Sequence, residues 1–528
     1  MLFISKYSVM KMQKVINSPA TITFSLLAAL VVFTGCGKNF LDREPQGQYT
    51  QETYPYPGGS GPYDTYLFGP YSELRSFNAH SQSFITATSI RSDDADKGST
   101  PADGGANAIS MDNFPVSPDN GFANTLWLGY YALINKANIA LDQVYNNASI
   151  VATPEVKKQS EGEARFLRGY GYFMLVRLFG RVPLIDSIFT DAAAQSNVPQ
   201  SSVEQLYAFI EADLQNAVEG LPLGWDAKFP GRATRGAASG LLAKVYLTQK
   251  KWGQALAAAN DVIATGQYDL STSYSKIFGE DGENTKESVF EVQATATAAI
   301  PTANGVQYAS IMGVRGTGVW NLGWGWNTPS EYLINAYEPG DPRKARTVMF
   351  TSQPGRNGES DTIYQTVYGE NIPLGLPNRQ YNHKAYSNPA MRAAYGNLSG
   401  YWMNIRILRY ADVLLMYAEA ANELNNTQEA IDKLEMVRAR ARGTNNTILP
   451  KVTTTDQDEL RDAIRHERRI ELAMEHDRFF DLVRWGIAAD ALHAAGKPNF
   501  NNSRDVLLPI PQAQIDLSQG VLVQNFGY

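Results

Sequence analysis

Apolar residues recur at helical spacing along most of this chain. The pattern predicts one long helix over 122–146. A second is predicted over 155–180, where Phe166, Leu167, Tyr170, Phe173 and Met174 fall on one face. Gly180 and Pro183 supply its stop signal. A further amphipathic segment, 202–219, follows Ser201 and Ser202, whose hydroxyls suit an N-cap. Residues 236–266 read as a helix, a tight turn near Lys250–Lys251 and a second helix. The same theme returns over 411–441, and 456–477 opens another helical stretch.

The two helix–turn–helix segments share a packing pattern. Leu242, Ala243, Tyr246, Trp252, Ala255, Leu256 and Ala259 sit where a tetratricopeptide unit places its small and large residues. In the later segment Leu414, Ala418, Ala420, Ala430, Ile431 and Leu434 do the same. Small residues let two helices approach, and large ones fill the groove opposite. Such units bury their faces by stacking, so several are expected. Between them lies 267–403, rich in Gly, Ser, Thr, Asn and aromatic residues and too long for one connection. Short strands are expected there at 287–293 and 361–368, and a helix at 330–337. Residues 50–120 read as similarly loop-rich.

The N-terminus follows a different pattern. Lys6, Lys11 and Lys14 precede an apolar run, 21–34, which ends at Gly35-Cys36. This is the layout of a secretory signal peptide, and the run is short of the roughly 20 residues that span a bilayer. Phe33-Thr34-Gly35-Cys36 resembles a bacterial lipobox, with Phe where Leu is usual. Cys36 is the only cysteine in the chain, which excludes an internal disulfide and makes it the candidate lipidation site. Several acyl chains, at about 0.8 kcal/mol per buried methylene, would anchor the protein stably. Residues 37–60, with Pro45, Pro55, Pro57, Gly58 and Gly59, read as a flexible leader.

Composition narrows the class. With 528 residues the chain can bury a large core, and length alone suggests two or more domains. The net charge of −7 and the lack of a long basic block exclude the electrostatic footprint of a nucleic-acid binder. Aromatic content is high, with 28 Tyr and 8 Trp, and such rings serve either a core or a stacking surface.

Five stretches together resemble the SusD/RagB family of nutrient-uptake outer-membrane lipoproteins. They are GEARFLRGYGYFMLVRLFGRVPLI (162–185), NIRILRYADVLLMYAEAANEL (404–424), HERRIELAMEHDRFFDLVRWG (466–486), LLPIPQAQI (507–515) and QNFGY (524–528). The resemblance implies a mainly α fold, with four tetratricopeptide-like helix pairs and a loop-rich, partly irregular ligand-binding part. It divides the chain into a lipoprotein signal peptide (1–35), a lipid-anchored leader (36–60) and a body (61–528). Within the body, 122–266 and 404–494 form the helical scaffold, and 61–121 and 267–403 the loop-rich part. It further implies a surface-exposed protein, tethered to the outer membrane, that binds a glycan and serves a SusC-like TonB-dependent transporter. A peptide-binding, RagB-like role is the alternative. No cofactor, metal or catalytic residue follows from it.

The residues suggest where a ligand would sit. In GTGVWNLGWGWNT (316–328), Trp320, Trp324 and Trp326 are interleaved with glycines and flanked by Asn321 and Asn327. Sugars stack their C–H faces on indole, amides bond their hydroxyls, and glycine lets a backbone display the rings. Trp320, earliest in the loop, is the leading candidate. The Gly-Trp-Gly-Trp-Asn part also resembles a family feature leading into the next helix, which gives Trp324 and Trp326 a structural alternative. Arg91, Asp93 and Asp94 lie where family members place polar ligand contacts. Tyr308 and Tyr381 are further candidates, with Asn107, His383 and Trp402 behind them. Asp93, Asp94 and Asp96, or Glu338 with Asp341, could also be read as glycosidase carboxylates, and the Asp cluster as a calcium site, but these are ordinary turn and cap residues. The five histidines are scattered, and the charges at 461–484 alternate at helical spacing, as in an ion-pair network that orients helices.

Overall fold

A computed structural model describes residues 61–528, apart from 190, 192–193, 195–196, 303–304 and 352–363. Cys36, the signal peptide and the leader lie outside the described residues. The expected helices form close to their predicted bounds, and several carry their own start or stop chemistry. Helix α1 is Asp64–Leu74 and α2 is Gly105–Asn113. Helix α3 (Gly121–Asn146) is capped by Asn120, whose side chain accepts from the amides of Phe122 and Ala123. Helix α4 (Pro154–Phe179) begins on Thr153 and stops at Gly180, where φ is +70°. Ser202 and Gln205 close a reciprocal capping box on α5 (Val203–Gly220). Helices α6 (Arg235–Thr248) and α7 (Trp252–Ala264) are joined by the tight turn expected at Lys250, which adopts φ +59°. The C-terminal set is α8 (Tyr410–Glu423), α9 (Thr427–Arg442), α10 (Gln457–Glu471) and α11 (Arg478–Trp485).

These helices pack in series: α3 on α4, α4 on α5, α5 on α6, α6 on α7, α7 on α8, and α8 on both α9 and α10. Missing side chains set the approach. A β-carbon on Gly240 would lie 2.5 Å from Leu408, and one on Gly129 would lie 2.5 Å from the carbonyl of Asn78. The mainly α expectation holds. One boundary does not: 61–121, expected to be loop-rich, contains α1 and α2, and α1 packs on α3 and α4.

Among the described residues, three two-stranded antiparallel sheets fix the irregular part. Strand β1 (Ala95–Gly98) pairs with β3 (Trp326–Pro329), β2 (Ser288–Val292) with β6 (Ile405–Arg409), and β4 (Val348–Phe350) with β5 (Gln380–Asn382). The strand expected at 287–293 is β2. Over 361–368 the described residues show only a lone bridge from Gln365 to Asn371, and 361–363 lie outside them. The helix expected at 330–337 is a single turn, Glu331–Ile334.

The charges at 461–484 are the principal departure from local reasoning. Two pairs, Arg461–Asp458 and Arg484–Asp481, each run along one helix at i,i+3, but most of the pairs link different elements. Arg468 holds Asp412 and Asp481, Lys244 bridges Asp412 and Asp477, and Arg484 holds Glu419 and Asp481. Glu471 is fully buried and receives Arg440 at 2.6 Å, Arg409 at 3.0 Å and Arg343 at 3.2 Å. Buried charges persist only when paired in this way. The network ties α8, α9, α10 and α11 to the irregular segments that carry Glu287 and Asp341.

Candidate functional site

The loop 313–325 is an excursion with a tied neck. The amides of Leu322 and Gly323 both donate to the carbonyl of Val314 at 2.9 Å, and the amide of Gly325 donates to Gly313 at 2.8 Å. A side chain at 323 cannot fit, since its β-carbon would meet the Ser310 carbonyl at 2.1 Å. Val314 and Leu322 point inward and join a small apolar cluster with Met349, Ile372, Leu376, Tyr381 and Tyr386. The segment between them turns outward through one 3-10 turn, Gly318–Trp320.

This geometry sorts the three tryptophans. Trp324 is 39% exposed, the most open of the three. Trp320 is half-buried against the apolar cluster, with its ring 6.2 Å from that of Tyr386. Asn321, next to it, is exposed. Trp326 is buried, which corrects its reading as a ligand contact. It lies in β3 opposite Gly98, with Phe122 edge-on at 6.4 Å, the Lys97 ammonium 5.2 Å from its ring centre, and Gly104 too close to carry a side chain.

Polar groups that sequence reasoning missed stand beside Trp324. The Ser99 hydroxyl contacts both the Trp324 carbonyl, at 2.7 Å, and Asp103, at 2.5 Å. Arg315 pairs with Asp103 and donates to Ser99 at 2.9 Å. The Ser99 hydroxyl first, then Thr100 and Arg315, hold the Asp103 carboxyl below its usual range. The Asp103 and Arg315 side chains stay about a third exposed, at 30% and 38%. Two indoles, an amide and an Arg–Asp pair therefore share one loop system. Nothing local in the sequence flags Ser99 or Asp103, which reach the loop only because β1 pairs with β3.

Most of the other candidates are enclosed with protein partners. Arg91 is fully buried, donates to the Asp505 carbonyl at 2.6 Å and lies 4.2 Å from the centre of the Phe479 ring. Asp93 is fully buried and accepts two 2.8 Å bonds from Arg478; Asp94, 1% exposed, is paired with Arg469 at 2.7 Å. All three were expected as polar ligand contacts; each is enclosed with a protein partner instead. Asp93→Asn is therefore expected to lower stability by about 3–5 kcal/mol, as when a buried pair loses one member. Ligand affinity, measured by titration calorimetry on the folded fraction, should stay unchanged.

Tyr381 is 1% exposed, and its hydroxyl donates to the Arg315 carbonyl at 3.1 Å, so it supports the loop from beneath. The Tyr308 hydroxyl is bonded to Nε2 of His476, and burial pushes it upward in pKa. His383 is buried between the Ala345 carbonyl and the Val367 amide. Trp402, 3% exposed, donates to Glu280 at 2.6 Å. Asn107 is exposed on α2. Glu338 and Asp341 are paired with Arg438 and Arg343.

Comparison with known proteins agrees along the length of the chain. The family model described as "SusD family" matches residues 286–528, and one described as "Starch-binding associating with outer membrane" matches 78–247. "SusD-like protein P2" of Formosa agariphila is 30% identical over 526 residues, covering 96% of this chain and 99% of that protein. A "SusD-like protein" of Bacteroides ovatus is 26% identical, covering 86% and 80%. Among solved structures, a "Laminarin binding SusD-like protein" superposes with a TM-score of 0.73 at 27% identity, covering 88% of this chain and 99% of that one. "Surface glycan-binding protein A" of Bacteroides fluxus gives a TM-score of 0.72 at 25% identity, covering 89% and 100%. The chain belongs to the SusD family.

Proposed function

We propose that this protein captures a glycan at the bacterial surface, on the platform formed by Trp320, Asn321 and Trp324. The exposed Trp324 ring carries the proposal. Its loop is tied at the neck, so the backbone that displays the indole is ordered before binding, which lowers the cost of binding. Asn321 and the Arg315–Asp103 pair supply donors and acceptors for hydroxyl groups. The names of two relatives in structure, one laminarin-binding and one surface glycan-binding, support the same ligand class.

In this reading Cys36 is acylated, residues 36–60 form the leader, and the body sits on the outer membrane beside a SusC-like TonB-dependent transporter that takes up the glycan. The protein itself breaks no bond. Titration calorimetry against plant, host and microbial glycans tests the ligand class. Saturable binding of at least one glycan is expected. Silence across the panel, with peptides found bound to the purified protein, would favour the peptide-binding alternative.

A further inference from the structure

A second groove lies where the loop between α5 and α6 faces strand β2. It encloses about 380 Å³ and is lined by Trp225, Asp226, Gln267, Tyr268, Asn284 and Lys286, among others. None of these residues belongs to the Trp320–Trp324 loop. The volume falls within the range of about 300–1,000 Å³ usual for small-molecule sites.

The groove is built rather than incidental. Trp225 is held by its indole N–H, which donates to the Ala233 carbonyl at 2.7 Å. Arg232 covers the ring at 4.5 Å from its centre. That guanidinium is itself fixed by Glu163 at 2.6 Å and Asp64 at 2.9 Å, so Trp225 has a rigid backing and stays half-buried. Tyr268 is backed in the same way. Its hydroxyl meets Thr234 at 3.0 Å, its ring lies over Gly236, and Tyr410 stacks against it at 6.3 Å.

The polar wall is equally ordered. Asn284 and Gln293 exchange two amide bonds of 2.9 Å each. Asn284 keeps a second N–H and a second lone pair for another partner, whereas Gln293 also donates to the Glu291 carbonyl at 3.3 Å and accepts from Asn404 at 3.2 Å. Asp226, Gln267 and Lys286 are exposed. Both signs of charge are present, which disfavours a polyanion. The mixture of amides and charges with aromatic rings disfavours an apolar helix, which needs a continuous apolar face.

We infer that this groove is a second carbohydrate site, taking a neutral oligosaccharide between Trp225 and Tyr268 with its hydroxyls on the amides of Asn284 and Gln267. The test is fluorine NMR on the full-length protein labelled with 5-fluorotryptophan, with the Trp225 resonance assigned from Trp225→Phe. Laminarihexaose, maltohexaose, xylohexaose and mannohexaose serve as probes. At least one is expected to shift the Trp225 resonance saturably, and the shift should survive in the Trp320→Ala/Trp324→Ala variant. Asn284→Ala with Lys286→Ala should weaken it by about fivefold or more, equivalent to about 1 kcal/mol. A Trp225 resonance unmoved by every probe, or moved only by tryptic peptides, overturns the inference whatever Trp324 does. The Trp324 resonance, read in the same spectra, tests the first surface separately.

Discussion

Replacing Trp324 by alanine is expected to weaken glycan binding by about 1–3 kcal/mol, the range for an aromatic anchor, which is roughly a 5- to 150-fold rise in Kd. The fold should be unaffected, because the ring is 39% exposed and its loop is held by backbone bonds at Val314 and Gly313. Trp320→Ala should also weaken binding. It should cost some stability too, because that ring packs on the cluster around Leu322 and Tyr386. Trp326→Ala is the contrast within the same motif. Its ring is 3% exposed, so the loss should appear as about 3–5 kcal/mol of stability. Titration calorimetry and urea unfolding on the three variants separate these outcomes. Equal binding losses from all three would mean that the loop responds as a unit and that exposure does not identify the contact.

Removing the Glu471 carboxylate is expected to be strongly destabilising. Glu471→Gln leaves Arg343, Arg409 and Arg440 around a neutral amide, and breaking a buried ion pair costs about 3–5 kcal/mol. Burial alone would raise the Glu471 pKa. Arg440, then Arg409 and Arg343, reverse that and hold the carboxyl far below its ordinary 4.5. A depressed folded-state pKa contributes stability above the unfolded-state value and loses it as pH falls. The gap between wild type and Glu471→Gln should therefore be widest at neutral pH and narrow below about pH 4.5. Asp458→Asn provides the control. Its carboxylate is 86% exposed in a pair with Arg461, and removing it should cost less than about 1 kcal/mol. Urea midpoints across pH 3–8 measure both.

The scaffold was legible because helix signals are local. Ser202 and Gly180 announce helix ends in the sequence, and the structure places ends there. The partners of the charged residues were not legible. Asp93 and Arg478 are 385 positions apart, so a polar loop at 91–96 looked like surface although Asp93 and Asp94 meet Arg478 and Arg469 of the C-terminal helices. The tryptophan motif shows the same limit on a smaller scale. Residues two apart share a face in a continuous strand. Gly325, at φ +76°, breaks the alternation and leaves Trp324 outside while Trp326 turns inside. Ser99, Asp103 and Arg315 joined the site through strand pairing and a loop neck, neither of which has a local sequence signature.

A crystal structure with the tightest-binding oligosaccharide from the panel tests the central claim most directly. A sugar ring stacked on the Trp324 indole, with hydroxyls bonded to Asn321, Arg315 or Asp103, is the predicted result. An oligosaccharide bound elsewhere, with the Trp324 ring bare in solvent, would contradict it.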